Sequence, residues 1–430
     1  MPLASFVLGV LLQAAAPLSR QERAVASYVD AHRGEAIALL ERIVNINSGT
    51  LNLAGVRQVG DVIRAEFDRI GFTTRWIDGA PFKRAGHLVA EHRGKGPRLL
   101  LIGHLDTVFE SDSPFQRMVW LDSTKARGPG IVDMKGGDVI IVESLKALAA
   151  SGLLAELDVT VILTGDEEDT GEPVSLARGD LLELARRADV ALGFENGSGD
   201  PHKAVIARRG FTGWTLRVTA KPAHSSQIFR DDVGGGAIFE AARILEAFRQ
   251  QLAGQQFLTF NPGVALGGTD VGLDSTGTRG TAFGKSNVIA ERMVVTGDLR
   301  ILSPTQLATT KDVMRQIVAA SRPHAKAEIT FEDGYPPLPP SSGNQRLLEA
   351  YDQVSRELGF GPVTGTDPMR AGAADVSFTA GLTPSAIDGI GAAGSDDHTV
   401  SETANMAVFP TLIKRAAIFL HRLGRPAPKA

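Results

Sequence analysis

Five stretches of this 430-residue chain set a histidine or a carboxylate beside an apolar run or in a glycine-rich loop. His104 and Asp106 follow the run 98–102, and Asp133 lies among the glycines of 128–137. Asp166-Glu167-Glu168-Asp169 follows 159–164, Glu195 follows 190–194, and His398 comes beyond 384–387. Taken singly, each has an ordinary explanation. A hydrogen-bonded turn histidine accounts for His104, a loop residue before a helix N-terminus for Asp133, and an acidic surface loop for 166–169. Taken together they point to a metal site. Four adjacent carboxylates repel one another, and a bound cation is the economical way to hold such a group together. With no cysteine in the chain, the ligands must be His and carboxylates, a set that suits a pair of zinc ions. Two metals about 3.5–4 Å apart need a bridging carboxylate and a base to manage the shared water.

The elements implied by the pattern bring these stretches to one place. Near-helical recurrence of apolar residues predicts helices over 21–44 and 56–70, the second closed by Gly71. Another helix is expected over 137–150, stopped by Gly152. Short, nearly unbroken apolar runs alternating with helices imply a mostly parallel sheet covered on both faces. Ligands bind outside the carboxyl ends of the strands in such sheets. From about 205 the texture changes. Thr215, Arg217 and Thr219 alternate with Trp214, Leu216 and Val218, as in an antiparallel sheet with one solvated face. Helices over 236–252 and 305–320 sit among strands near 257–260, 288–301 and 326–331, and the Pro- and Gly-rich stretch 334–343 reads as a return hinge. The expected fold is an α/β catalytic domain (20–204 and 336–430) interrupted by an α+β lid and dimerisation domain (205–335). The segment 280–286 resembles a phosphate loop, but its first glycine is one residue too close and no strand is expected before it.

Composition narrows the function further. Apolar residues at 43% and charged residues at 22% exclude a disordered or fibrous chain. A net charge of −4 offers no basic footprint for nucleic acid. The absence of cysteine also excludes disulfides, iron–sulfur clusters and thiol catalysis. The first 19 residues carry no charged side chain, and Leu3 to Ala16 is apolar except for Ser5 and Gln13. That run is too short to span a bilayer, yet it fits a secretory leader ending in Ala14-Ala15-Ala16, although no Lys or Arg follows Met1. Export to the periplasm or medium is therefore expected, with a cytoplasmic location as the alternative, and no other stretch is suited to crossing a membrane.

The quoted motifs are similar to those of a known family. Gly103-His104-Leu105-Asp106-Thr107-Val108, the stretch 128–137 around Asp133, Asp166-Glu167-Glu168, Glu195, and His398 followed by Glu402 resemble the di-zinc metallopeptidases. That group includes glutamate carboxypeptidase (carboxypeptidase G), peptidase T, aminoacylase and succinyl-diaminopimelate desuccinylase. The resemblance covers about residues 30–425. It implies that Asp133 bridges two zincs, that Glu168 and His398 complete one site, and that His104 and Glu195 complete the other. It further implies that Asp106 orients His104 and that Glu167 is the general base acting on a zinc-bridged water. In the inserted domain, His224 resembles the family's lid histidine, reaching the active site of the other subunit of a homodimer. Asn287 and Arg300 resemble its carboxylate-binding pair, although an ion pair with Asp298 would equally explain Arg300.

Two departures bear on the substrate. Glutamate carboxypeptidases carry an Arg-Gly-Arg-Pro stretch after the lid, where this chain reads Phe331-Glu332-Asp333-Gly334-Tyr335-Pro336-Pro337. Before the late Asp375, where they carry a run of small residues, stands Met369-Arg370-Ala371-Gly372-Ala373-Ala374. Arg370 and Gly372 are thereby candidates for substrate binding. The resemblance implies a metallohydrolase cutting an amide bond beside a free carboxylate, a carboxypeptidase or dipeptidase, with two zinc ions per subunit (cobalt or manganese as substitutes). The alternatives are an N-acyl amino acid amidohydrolase acting through the same residues and, from a different class, a metal-binding scaffold without catalysis. Glu167 beside Glu168 argues against the last.

Overall fold

A computed structural model describes residues 18–274 and 277–425. The expected leader lies, but for Leu18 and Ser19, outside the described residues. None of the helices among the described residues is long and apolar enough to cross a membrane.

The main sheet has six strands, in the order Thr73–Asp78, Gly86–His92, Asp158–Thr164, Arg98–His104, Val190–Gly193 and Ala386–Ile387. The last four run parallel to one another, and the first two form an antiparallel flank. The register sets His104 opposite Thr164 and Ile102 opposite Gly193. The carboxyl ends of the three central strands therefore meet at one edge, where His104, Glu167, Glu168 and Glu195 follow. These strands are apolar on both faces because both faces are covered. Leu99 and Leu101 pack into one core with the helices Lys135–Ala150 and Phe409–Leu423, while Leu100 and Ile102 pack into another under the helix Gly179–Arg187.

The helix Lys135–Ala150 is buried nearly all round, and glycine lets its first turn press against the site. A Cβ on Gly137 would lie 2.1 Å from the carbonyl oxygen of Phe194, the residue before Glu195. Gly130, at φ +70°, takes the left-handed turn that brings the loop into this helix.

Within 210–333 a second, antiparallel sheet has the order Thr259–Gly268, Arg292–Ile301, Gly210–Ala220, Ala325–Asp333. Trp214, Leu216 and Val218 face the helices Gly236–Leu252 and Pro304–Ala319, which cover that side. Thr215, Arg217 and Thr219 alternate onto the other side, as their sequence pattern implies. The chain enters and leaves this inserted α+β unit side by side, since Arg208 and Leu338 exchange backbone hydrogen bonds of 2.9 Å.

The structure corrects the sequence expectations at four places. The helix expected over 21–44 is two, Arg20–Ala31 and Arg33–Val44, with His32 as the break. The ring of His32 stacks on Tyr28 and its Nδ1 binds the Tyr28 carbonyl, an arrangement local to the joint. The strands Thr73–Asp78 and Gly86–His92 had no counterpart in the apolar-run reading, because the first is polar and alternately exposed. The strand sought near 257–260 runs instead over Thr259–Gly268. The 280–286 segment is no phosphate loop: Gly280–Phe283 is a strand paired with Asp270–Leu273.

Candidate metal centre and catalytic cavity

At the carboxyl edge of the main sheet two groups of ligand atoms converge. His104, Asp133 and Glu195 form one, and Asp133, Glu168 and His398 form the other. Asp133 belongs to both. One of its oxygens lies 3.1 Å from His104 Nε2 and the other 3.1 Å from His398 Nε2. Glu195 Oε1 is 3.5 Å from His104 Nε2, and Glu168 Oε2 is 3.2 Å from His398 Nε2.

Each ligand is held from behind. His104 is buried, and its Nδ1 faces the Asp106 carbonyl at 3.1 Å, which leaves Nε2 for the centre. The Asp106 carboxylate, fully buried, accepts from Thr50 Oγ1 and from the backbone amides of Glu167 and Glu168. It thus ties the acidic loop to the histidine. The Asp133 loop is fixed by Glu402, whose carboxylate accepts from the amides of Gly130, Val132 and Asp133. Glu402 and His398 belong to one hairpin between Gly394–Ser395 and Thr403–Asn405, so a single element presents one ligand and anchors another. His398 takes a positive φ of 61° at its tip.

The electrostatics call for cations here. Burial, then the Asp133 charge, pushes the Glu195 carboxyl well up. Burial raises Glu167 strongly, with Asp375 and Glu168 adding to it, and it raises Glu168 as well. Hydrogen bonds with Asp133 and Glu168 push His398 up to about 11. Burial alone would raise Asp133, but the hydrogen bonds of the two histidines hold it well below the usual carboxylate range. Two histidines thus stand among closely packed carboxylates whose charge divalent ions would balance. Glu168 Oε1 is buried without a hydrogen-bond partner among the described residues. That orphaned oxygen and the all-N/O donor set fit a metal pair.

Glu167 belongs to neither ligand group, yet it lines the same cavity of about 230 Å³ with Asp133, Glu168, Glu195 and His398. Its loop is clamped from below. Arg178, fully buried, donates to Asp166 Oδ1 and Asp375 Oδ1, and Tyr335 Oη donates to the Glu167 carbonyl at 3.1 Å. Arg370 and Gly372 also line this cavity; His224, Asn287 and Arg300 do not. His224 and Asn287 do come together on the inserted unit, where Ser225 N donates to the Asn287 carbonyl and His224 Nδ1 meets Ser226 Oγ at 2.8 Å. Arg300 pairs with Asp298 at 2.9 Å and stacks on Phe211, the ion pair its sequence leaves open.

The sequence pattern of the peptidase family M20/M25/M40 matches residues 100–422. The chain belongs to this family. It is a metallohydrolase of peptide or amide bonds. Carboxypeptidase G2 of Pseudomonas sp. (strain RS-16) is 26% identical over 392 residues, covering 90% of this chain and 89% of the relative. Acetylornithine deacetylase of Pasteurella multocida (strain Pm70) is 28% identical over 193 residues, 43% of this chain and 47% of the relative. The fold is similar to that of the Bacillus subtilis YXEP protein, described as a dinuclear metal-binding peptidase. The TM-score is 0.62 at 14% identity, over 92% of this chain and 98% of that one.

Sequence reasoning passed over Arg208, Arg178 and Tyr335. Arg208 lines the cavity from an isolated bridge with Leu338 just before the strand Gly210–Ala220, and its partners Gly372 and Asp388 lie 164 and 180 residues away. Nothing in the local Ala207-Arg208-Arg209-Gly210 stretch marks it.

Proposed function

We propose that this chain is an exported metallocarboxypeptidase or dipeptidase that hydrolyses an amide bond beside a free C-terminal carboxylate, using two zinc ions per subunit. The observation that carries the reading is the sharing of Asp133 by two ligand groups, with Glu167 beside both and belonging to neither. Asp133 would be shared by the two ions, with His104 and Glu195 holding one and Glu168 and His398 the other. Bound there, the ions supply Lewis acidity toward a carbonyl oxygen and lower the pKa of water toward neutrality. Glu167 takes the proton of the attacking water and returns it to the leaving nitrogen. Asp106 keeps His104 in the tautomer that leaves Nε2 free.

The inserted unit completes the site from a second subunit. His224 stabilises the oxyanion, and Asn287 and Arg300 contact the substrate carboxylate, in a homodimer built on the lid sheet. Arg370, exposed at the cavity, adds a cation toward acidic C-terminal residues. The leader at 1–19 directs export.

The partial similarity to a deacetylase favours a second reading, an N-acyl amino acid amidohydrolase using the same residues. A screen of N-blocked dipeptides with varied C-terminal residues against N-acetyl amino acids, with metal content measured on the same sample, separates the two. Turnover confined to the acetyl series favours the second reading. No metal-dependent turnover of either series removes both.

A further inference from the structure

Arg208 combines burial, a fixed side chain and an unanswered donor at the cavity. It is 5% exposed. Its Nε donates to Asp388 Oδ2 at 2.7 Å and its Nη1 to the Gly372 carbonyl at 2.9 Å. Asp388 is itself locked, since its other oxygen accepts from the amides of Glu195 and Gly389. The remaining Nη2 donates to no group among the described residues, and the side chain lines the cavity that holds Glu167, Glu195 and His398. A guanidinium presents five donors in a rigid fork and cannot shed its proton. Nη2 is not sealed in the interior but opens onto the cavity, so this arm of an anchored fork is available to a polar group that enters there.

The neighbours sharpen the contrast. Arg209 uses its terminal nitrogens on Thr259 Oγ1 and the Met369 carbonyl, and Arg370 is exposed. Arg208 is the cation already held in place with a free arm beside the catalytic carboxylate. Every other charged group lining this cavity, apart from His398 and Arg370, is an acid.

We infer that Arg208 is a specificity-determining residue that binds the substrate carboxylate next to the scissile amide, within the same subunit as the metal ligands. This deepens the reading above and rests on it. A purely structural Arg208 would hold Asp388, and through it the Glu195 loop, without touching substrate.

The test compares kcat/KM for an N-blocked dipeptide and for the same peptide as its C-terminal carboxamide, with an N-acetyl amino acid and its amide as a second pair. In the wild type the carboxylate form should be preferred. In Arg208→Gln that preference should shrink by about 10–100-fold, the range for a hydrogen bond to a charged group. Arg208→Lys keeps a cation against Asp388 but loses the fork, and should shrink the preference less. It also decides the matter if the glutamine variant does not fold or load metal. An unchanged preference in every folded, metal-loaded variant overturns the inference, because a structural role lowers both substrates alike. So does a collapse seen in Arg370→Ala and not in the Arg208 variants. Absence of wild-type turnover on all four compounds removes the parent reading and this one with it, whereas turnover with an unmoved ratio removes this one alone.

Discussion

At the residue scale, the candidate ligands were legible because His104, Glu168 and Glu195 follow apolar runs that parallel register brings together, while Asp133 and His398 stand in or after glycine-rich stretches. His104, Asp133, Glu168, Glu195 and His398 fall into the two groups that the resemblance implies. What stayed hidden were residues whose partners lie far off in sequence. Arg178 and Arg208 act through groups made adjacent only by the fold. Glu167→Gln should retain metal and lose about 10²–10⁴-fold in kcat, since an amide cannot accept the water proton. Elemental analysis with kinetics checks this, and wild-type turnover in the metal-loaded variant would take the base role from Glu167.

At the scale of the element, two buried ion-pair arrangements each offer a measurement. The loop bearing Glu167 and Glu168 rests on Arg178, which neutralises Asp166 and Asp375 in the interior. Arg178→Met leaves those two carboxylates buried and uncompensated, at a cost of about 3–5 kcal/mol. It should lower the denaturant midpoint of the main domain well below that of wild type, and an unmoved midpoint would mean the network adds nothing.

The helix Arg20–Ala31 is tied to the C-terminal helix by Glu22, which pairs with Arg422 at 2.7 Å. Burial pushes the Glu22 carboxyl up, but Arg422 and the Ser19 cap outweigh it and bring it from 4.5 down to about 2. A depressed folded-state pKa gives stability that is present above 4.5 and lost as pH falls toward 2. Glu22→Gln should therefore flatten the acid limb of a stability-against-pH curve in that window. An unchanged slope would contradict the pairing. The helices were largely legible because apolar period and glycine stops mark them. The antiparallel flank was not, because the exposed alternation of Thr73–Asp78 carries little apolar signal.

At the scale of the whole molecule, the change from unbroken to alternating apolar pattern near 205 announced the inserted α+β unit, since it reflects two-sided against one-sided burial. The unit carries His224 and Asn287 together, away from the cavity lined by Glu167, and the proposed function has them act on a second subunit. His224→Ala homodimers should be metal-loaded and nearly inactive. Mixing them with Glu167→Gln subunits should restore part of the activity, because each mixed dimer joins one intact His224 to one intact Glu167. Confirmed subunit exchange without any recovery would confine His224 to its own chain or remove it from catalysis.

The central claim is that one carboxylate serves two metal ions. It is tested most directly by counting ions in the wild type, Asp133→Ala and Glu195→Ala by calorimetric titration with zinc and elemental analysis. Two tight sites are predicted per wild-type chain, one in Glu195→Ala and none in Asp133→Ala. Two tight sites surviving without Asp133 would contradict the account.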